Sequence, residues 1–61
     1  MKDILAAAII IEEESYRLYT MAQDKVNYAS SKELLKELAR EELMHKNKIE
    51  REYDEYVLRE N

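Results

Sequence analysis

The chain's 61 residues leave room for one small domain, and 14 acidic against 10 basic side chains give it a formal charge of −4. It has no cysteine, which excludes disulfides, thiolate metal sites and any cysteine-ligated iron centre, and leaves carboxylate and imidazole as the side chains able to hold a metal. Gly and Pro are also absent and 39% of the residues are charged, so the fold is predicted to be all-α without sheet, while the interspersed signs supply no basic stripe for nucleic acid.

The first predicted helix runs from about Asp3 to Asn27, with Asp3 as a candidate N-terminal cap. At 100° per residue Met1, Leu5, Ala8, Ser15, Tyr16, Tyr19, Gln23 and Val26 share one face, and Glu12 interrupts that face in its middle. Ile10 and Met21 point elsewhere, which suggests a second contact between oligomer units. The apolar run Ile4 to Ile11 is too short to cross a bilayer and ends in three glutamates, so neither a membrane span nor a signal peptide is expected and the predicted location is cytoplasmic.

Residues 28–30 form the predicted turn, because Asn27-Tyr28-Ala29-Ser30-Ser31 is the one cluster of turn and cap formers. Ser30 with Glu33 fits a capping box opening a second helix from about Ser31 to Glu60. Leu35, Leu38, Ile49 and Tyr53 lie within about 60° of Glu42 on that helix, and His45 follows Glu42 by one turn. The longer second helix is expected to overshoot the first, so that the acidic stretch Glu50 to Glu55 projects as a solvated end.

A carboxylate on an apolar face costs several kcal/mol unless something compensates its charge. With 11 glutamates in the chain, the Glu-x-x-His spacing of Glu42 and His45 says little on its own. The second interruption carries more weight: counted outward from the turn, Glu12 and Glu42 reach heights within about a turn of each other in an antiparallel hairpin. Glu12, Glu42 and His45 are therefore candidate ligands of one metal site, with iron, manganese and zinc all compatible with the donor set. Two amphipathic helices cannot surround a core, so residues 1–61 are read as a single hairpin that must associate, at least as a homodimer and with higher oligomers in view.

The run Ala8-Ile9-Ile10-Ile11-Glu12-Glu13-Glu14-Ser15-Tyr16-Arg17-Leu18-Tyr19, followed by Leu38-Ala39-Arg40-Glu41-Glu42-Leu43-Met44-His45, resembles the ferritin-like superfamily, in particular its rubrerythrin and encapsulated-ferritin branches. Those families place a ligand glutamate seven residues before a tyrosine, as Glu12 precedes Tyr19, and a Glu-x-x-His on the next helix. The resemblance implies that this chain carries half of a di-iron site, one iron per chain, which a two-fold dimer completes as a ferritin-like four-helix bundle. It further implies that Glu42 bridges the two metals, Glu12 binds terminally, His45 ligates one iron through a ring nitrogen, and Tyr19 hydrogen-bonds a ligand carboxylate. The implied activity is that of a ferroxidase, oxidising Fe(II) to Fe(III) with dioxygen or peroxide in iron storage or detoxification, with an encapsulin-type protein nanocompartment as a setting.

Three alternatives stand beside this reading. The triad could be a buried hydrogen-bonded network fixing the register of a non-catalytic homo-oligomerisation module, or it could hold a structural Zn²⁺ or Mn²⁺. The chain could also be the N-terminal half of a rubrerythrin-like peroxidase. Full rubrerythrins carry both halves of the site in one chain and take electrons from a cysteine-ligated iron domain, so a peroxidase would need a separate electron donor here.

Overall fold

The computed structural model describes residues 1–60, which form two helices, α1 (Lys2–Gln23) and α2 (Ala29–Glu60), and no strand. Residues 24–28 connect them tightly enough that the helices run back along each other as an antiparallel hairpin, a rod of 50 × 14 × 11 Å measured over its Cα atoms. No residue among those described has positive φ or a cis peptide bond, as expected of a chain without glycine or proline.

The helix ends differ from the sequence expectation for local reasons. α1 opens one residue early, with Met1 as its N-cap and no side-chain cap bond; Asp3 lies inside the first turn, where its charge meets the positive end of the helix dipole instead of capping. α1 closes at Gln23, short of Asn27. Its final carbonyls are taken by three-residue bonds, Asp24 N–H to Met21 at 3.1 Å and Lys25 N–H to Ala22 at 3.0 Å. An aspartate at this position opposes the negative end of the dipole and gives the helix no reason to continue. α2 opens at Ala29, with the Tyr28 carbonyl accepting from Lys32 N–H at 3.0 Å, so Ser30 is already helical and does not serve as the N-cap of a capping box.

A pair of helices can bury only the line along which they touch, and here that line is thin. Ala39 is the one buried side chain of the described residues, 5% exposed, and its small size lets α1 approach α2 closely at this level. Leu5, Ile9 and Tyr19 of α1, Val26 of the connection, and Leu35, Leu38, Ile49 and Tyr53 of α2 are half-buried along the same seam. The acidic stretch does not project as expected. Met1 and Leu5 share a pocket with Glu52, Tyr56 and Arg59, and Glu50, Tyr53 and Tyr56 are half-buried, so this part of α2 lies along the first turns of α1. The first turn of α2 instead takes up the extra length beside the 24–28 connection.

Because Ala39 marks the closest packing, Ala39→Leu should force the helices apart and cost about 1–3 kcal/mol. Lys48→Ala on the exposed side of α2 should stay within about 0.5 kcal/mol. Urea unfolding of both variants, followed by helix circular dichroism at one protein concentration, makes the comparison.

Candidate metal centre

Three features of the sequence converge at mid-height of the hairpin. α1 presents Glu12 to α2 because the heptad-like recurrence of Leu5, Glu12 and Tyr19 places it on the contact face, and α2 presents Glu42 in line with Leu35, Leu38 and Ile49. Antiparallel packing brings the two carboxylates to the same level, and His45, one turn beyond Glu42, leans to the same side. Each of the three offers a ligand atom, and these atoms all lie within 4.8 Å of one another. His45 Nδ1 is 4.0 Å from Glu12 Oε2. No other group of three or more His, Asp or Glu side chains among the described residues gathers in this way.

The electrostatics show a site lacking positive charge. Glu12 Oε2 is shut off from solvent and accepts no hydrogen bond within the hairpin. Leaving such a group unsatisfied costs about 1–3 kcal/mol, and more when it is charged. The Glu42 carboxyl titrates above the ordinary carboxylate range, chiefly because its proton is shared in a hydrogen bond with Glu12. Burial and repulsion by the Glu12 charge push it the same way, and His45 opposes them. A divalent cation would compensate the pair by giving the orphaned oxygen of Glu12 a partner. Two half-buried carboxylates beside an imidazole that keeps more than half its side-chain surface exposed suit an oxygen- and nitrogen-liganded ion with positions still open.

Tyr19 lies on the same face of α1, half-buried, but seven residues along the helix place it about 10 Å from Glu12 along the axis. Among the described residues its hydroxyl forms no hydrogen bond to Glu12 or Glu42, so inside a single chain the expected contact to a ligand carboxylate is not made. Tyr16, expected on the Glu12 face, opens to the other side, where it lines a groove with Thr20, Gln23, Lys36, Ala39 and Arg40.

Sequence reasoning missed the clamp beside the site. Lys46 Nζ reaches Glu13 Oε1 across the hairpin at 3.6 Å, while Arg17 reaches the other oxygen of Glu13 along α1 at 3.7 Å. The pair bridges α1 and α2 on the side away from His45. Partly exposed as it is, it contributes less than about 1 kcal/mol. The signal was available: Glu13 follows Glu12 and Lys46 follows His45, so residues that flank the site on each helix pair with each other.

Comparison with known proteins gives one match, to the family model described as rubrerythrin, over residues 3–61. No curated protein and no solved structure matches the chain.

The raised pKa of Glu42 fixes a sign for the metal-free protein. A carboxyl whose folded pKa lies above its unfolded value near 4.5 stabilises the fold through its protonated form. That contribution is complete below the unfolded value and is lost as pH rises through the folded one. Metal-free protein should therefore become more stable as pH falls toward 4.5, and Glu42→Gln should flatten this dependence. Urea midpoints between pH 4.5 and 7 provide the measurement.

Proposed function

The chain belongs to the rubrerythrin family, and from that membership together with the Glu12–Glu42–His45 cluster we propose a di-iron carboxylate protein whose site is shared between two copies and whose activity is oxidation of Fe²⁺. The observation that carries this reading is the orphaned oxygen of Glu12 beside Glu42 and His45, with a ligand atom of each of the three within 4.8 Å of the others. One hairpin supplies three ligands, too few for two metals. A second copy related by a two-fold axis supplies Glu12, Glu42 and His45 again, six ligands in all, and covers apolar side chains that a lone hairpin leaves in water.

Charge balance favours the pairing. Four carboxylates bring −4 and two Fe²⁺ ions bring +4, so the loaded site is neutral, whereas two empty half-sites brought together repel by several kcal/mol at an effective dielectric of about 20. Because the Glu42 carboxyl titrates above the ordinary carboxylate range, Fe²⁺ competes with its proton and binding weakens as pH falls through that range. Glu12 and Glu42 hold the substrate ions, and neutral His45 offers a ring nitrogen lone pair. Two Fe²⁺ give up one electron each; the two electrons and two protons convert one dioxygen to hydrogen peroxide, leaving two Fe³⁺. With peroxide as the oxidant, the same two electrons and two protons yield water.

Higher assembly is part of the same reading. Ile10 and Met21 are 56% and 58% exposed and point away from Glu12, which suits contacts between dimers. Among the described residues no helix is long and apolar enough to cross a membrane. Enclosure of the assembly in a protein nanocompartment would suit iron storage, since the oxidised product must be kept from precipitating freely.

Anaerobic Fe²⁺ titration of the whole chain, followed by air, tests the activity. One iron per chain should bind and oxidise rapidly with consumption of oxygen, and Glu42→Ala should abolish both saturable binding and fast oxidation. Metal binding without oxygen consumption would favour a structural site, and indifference to metal would favour a helical association module.

A further inference from the structure

The face of α1 on the open, His45 side of the hairpin carries a pattern that the metal site does not explain. Ile4, Ala8, Ile11, Ser15, Leu18 and Ala22 follow one another at alternating spacings of four and three residues, the repeat of a helix–helix seam. Along it large and small side chains alternate strictly. The large members are 68%, 61% and 59% exposed for Ile4, Ile11 and Leu18, so α2 of the same chain does not cover them. No charged residue interrupts the stripe from Ile4 to Ala22 in a chain that is 39% charged.

Such a stripe complements an antiparallel copy of itself when residue numbers across the seam sum to 26, because every large residue then faces a small one: Ile4 with Ala22, Ala8 with Leu18, and Ile11 with Ser15. Sliding by one heptad keeps the alternation but leaves two of the six positions without a partner. The full pairing puts the two-fold axis level with residue 13, one residue from Glu12. The two Glu12 side chains then lie about 3 Å apart along the helix axis, at 1.5 Å per residue. That offset suits a metal pair about 3.5–4 Å apart. Slipped registers, with sums of 19 or 33, separate the same residues by about 7.5 or 13.5 Å and leave two isolated half-sites. The seam pattern and the height of the ligands are independent features of the sequence, and they select the same axis.

Resting on the shared-site reading above, we propose that α1 packs antiparallel against α1 of a second copy of this chain, in the register that pairs Ile11 with Ser15, and that this seam sets the distance between the two half-sites. The available area is sufficient. The open face of the whole hairpin, α1 together with the adjoining side of α2, about 33 Å long and two helix diameters of about 10 Å wide, gives about 660 Å² per copy, or about 1,300 Å² in all, within the range of specific dimers, and the α1 seam supplies about half of it. In this register Tyr19 lies about 7.5 Å along the axis from the partner's Glu12, nearer than to its own Glu12 at about 10.5 Å, which explains why the contact expected of Tyr19 is missing inside one chain.

Because the chain has no cysteine of its own, introduced pairs report the register directly. In metal-free protein under mild oxidation, the Ala8→Cys/Leu18→Cys chain should convert mostly to a covalent dimer. Ile4→Cys/Ser15→Cys, summing to 19, and Ile11→Cys/Ala22→Cys, summing to 33, should stay at background. Substitution by size gives a second readout. Ser15→Leu should raise the dimer dissociation constant at least tenfold in sedimentation equilibrium, and Ile11→Ala added to it should restore most of the loss, whereas Leu18→Ala added to it should not. Cross-linking in either slipped register, or rescue by Leu18→Ala, overturns the proposal. Iron titration of the same chains separates the two ideas: one oxidised iron per chain without the 8–18 cross-link removes this seam and keeps the shared site, and the cross-link without iron binding does the reverse.

Discussion

Two carboxylates held side by side on the only surface that a helix pair can bury constrain everything else in this molecule. Glu12 and Glu42 occupy positions that leucine would fill in an ordinary hairpin, and the structure leaves one oxygen of Glu12 with no hydrogen-bond partner and pushes the Glu42 carboxyl above the ordinary carboxylate range. The hairpin accepts this cost although it has little else to set against it, since Ala39 is its one buried side chain among the described residues. In a chain so short of burial, two carboxylates on the contact face are a cost that a bound cation would relieve.

The same constraint accounts for the asymmetry of the two sides of the hairpin. On one side Lys46 closes onto Glu13, Arg17 supports Glu13 from within α1, and the groove toward the turn is lined by polar Thr20, Gln23, Lys36 and Arg40. On the other side His45 keeps more than half of its side chain exposed and the large apolar residues of α1 lie uncovered. Imidazole, carboxylates and apolar stripe thus share one open face, where a metal and a second chain can each satisfy what the hairpin leaves unsatisfied. On the proposed reading, association and metal binding are linked, since each would remove a cost that otherwise opposes the other.

Much of this was legible in the sequence. Helix propensity without Gly or Pro gave the all-α class, the Asn27–Ser31 cluster located the single turn, and two carboxylates interrupting apolar faces at heights within about a turn of each other pointed to the cluster of Glu12, Glu42 and His45 that the structure brings together. Family membership adds a precedent for that chemistry, which the arithmetic of the residues had already reached. The helix ends were less legible, because capping is decided by one or two residues. Asp24 ended α1 early through its unfavourable place in the helix dipole, and the Tyr28 carbonyl opened α2 before Ser30 could cap it.

By itself the sequence determined which residues face inward, since periodicity is a property of each helix alone, and it therefore determined which side chains meet at the site. Only the tertiary structure decided how the helices slide against each other. Their relative height depends on where α1 stops, how tightly residues 24–28 turn, and which side chains meet at Ala39 and at Glu13–Lys46. That height laid the acidic stretch of α2 along the start of α1, separated Tyr19 from the ligands of its own chain, and brought the ligand atoms of Glu12, Glu42 and His45 within 4.8 Å of one another. Register between helices is a sum of many small contacts across the chain, and no local pattern in the sequence contains it.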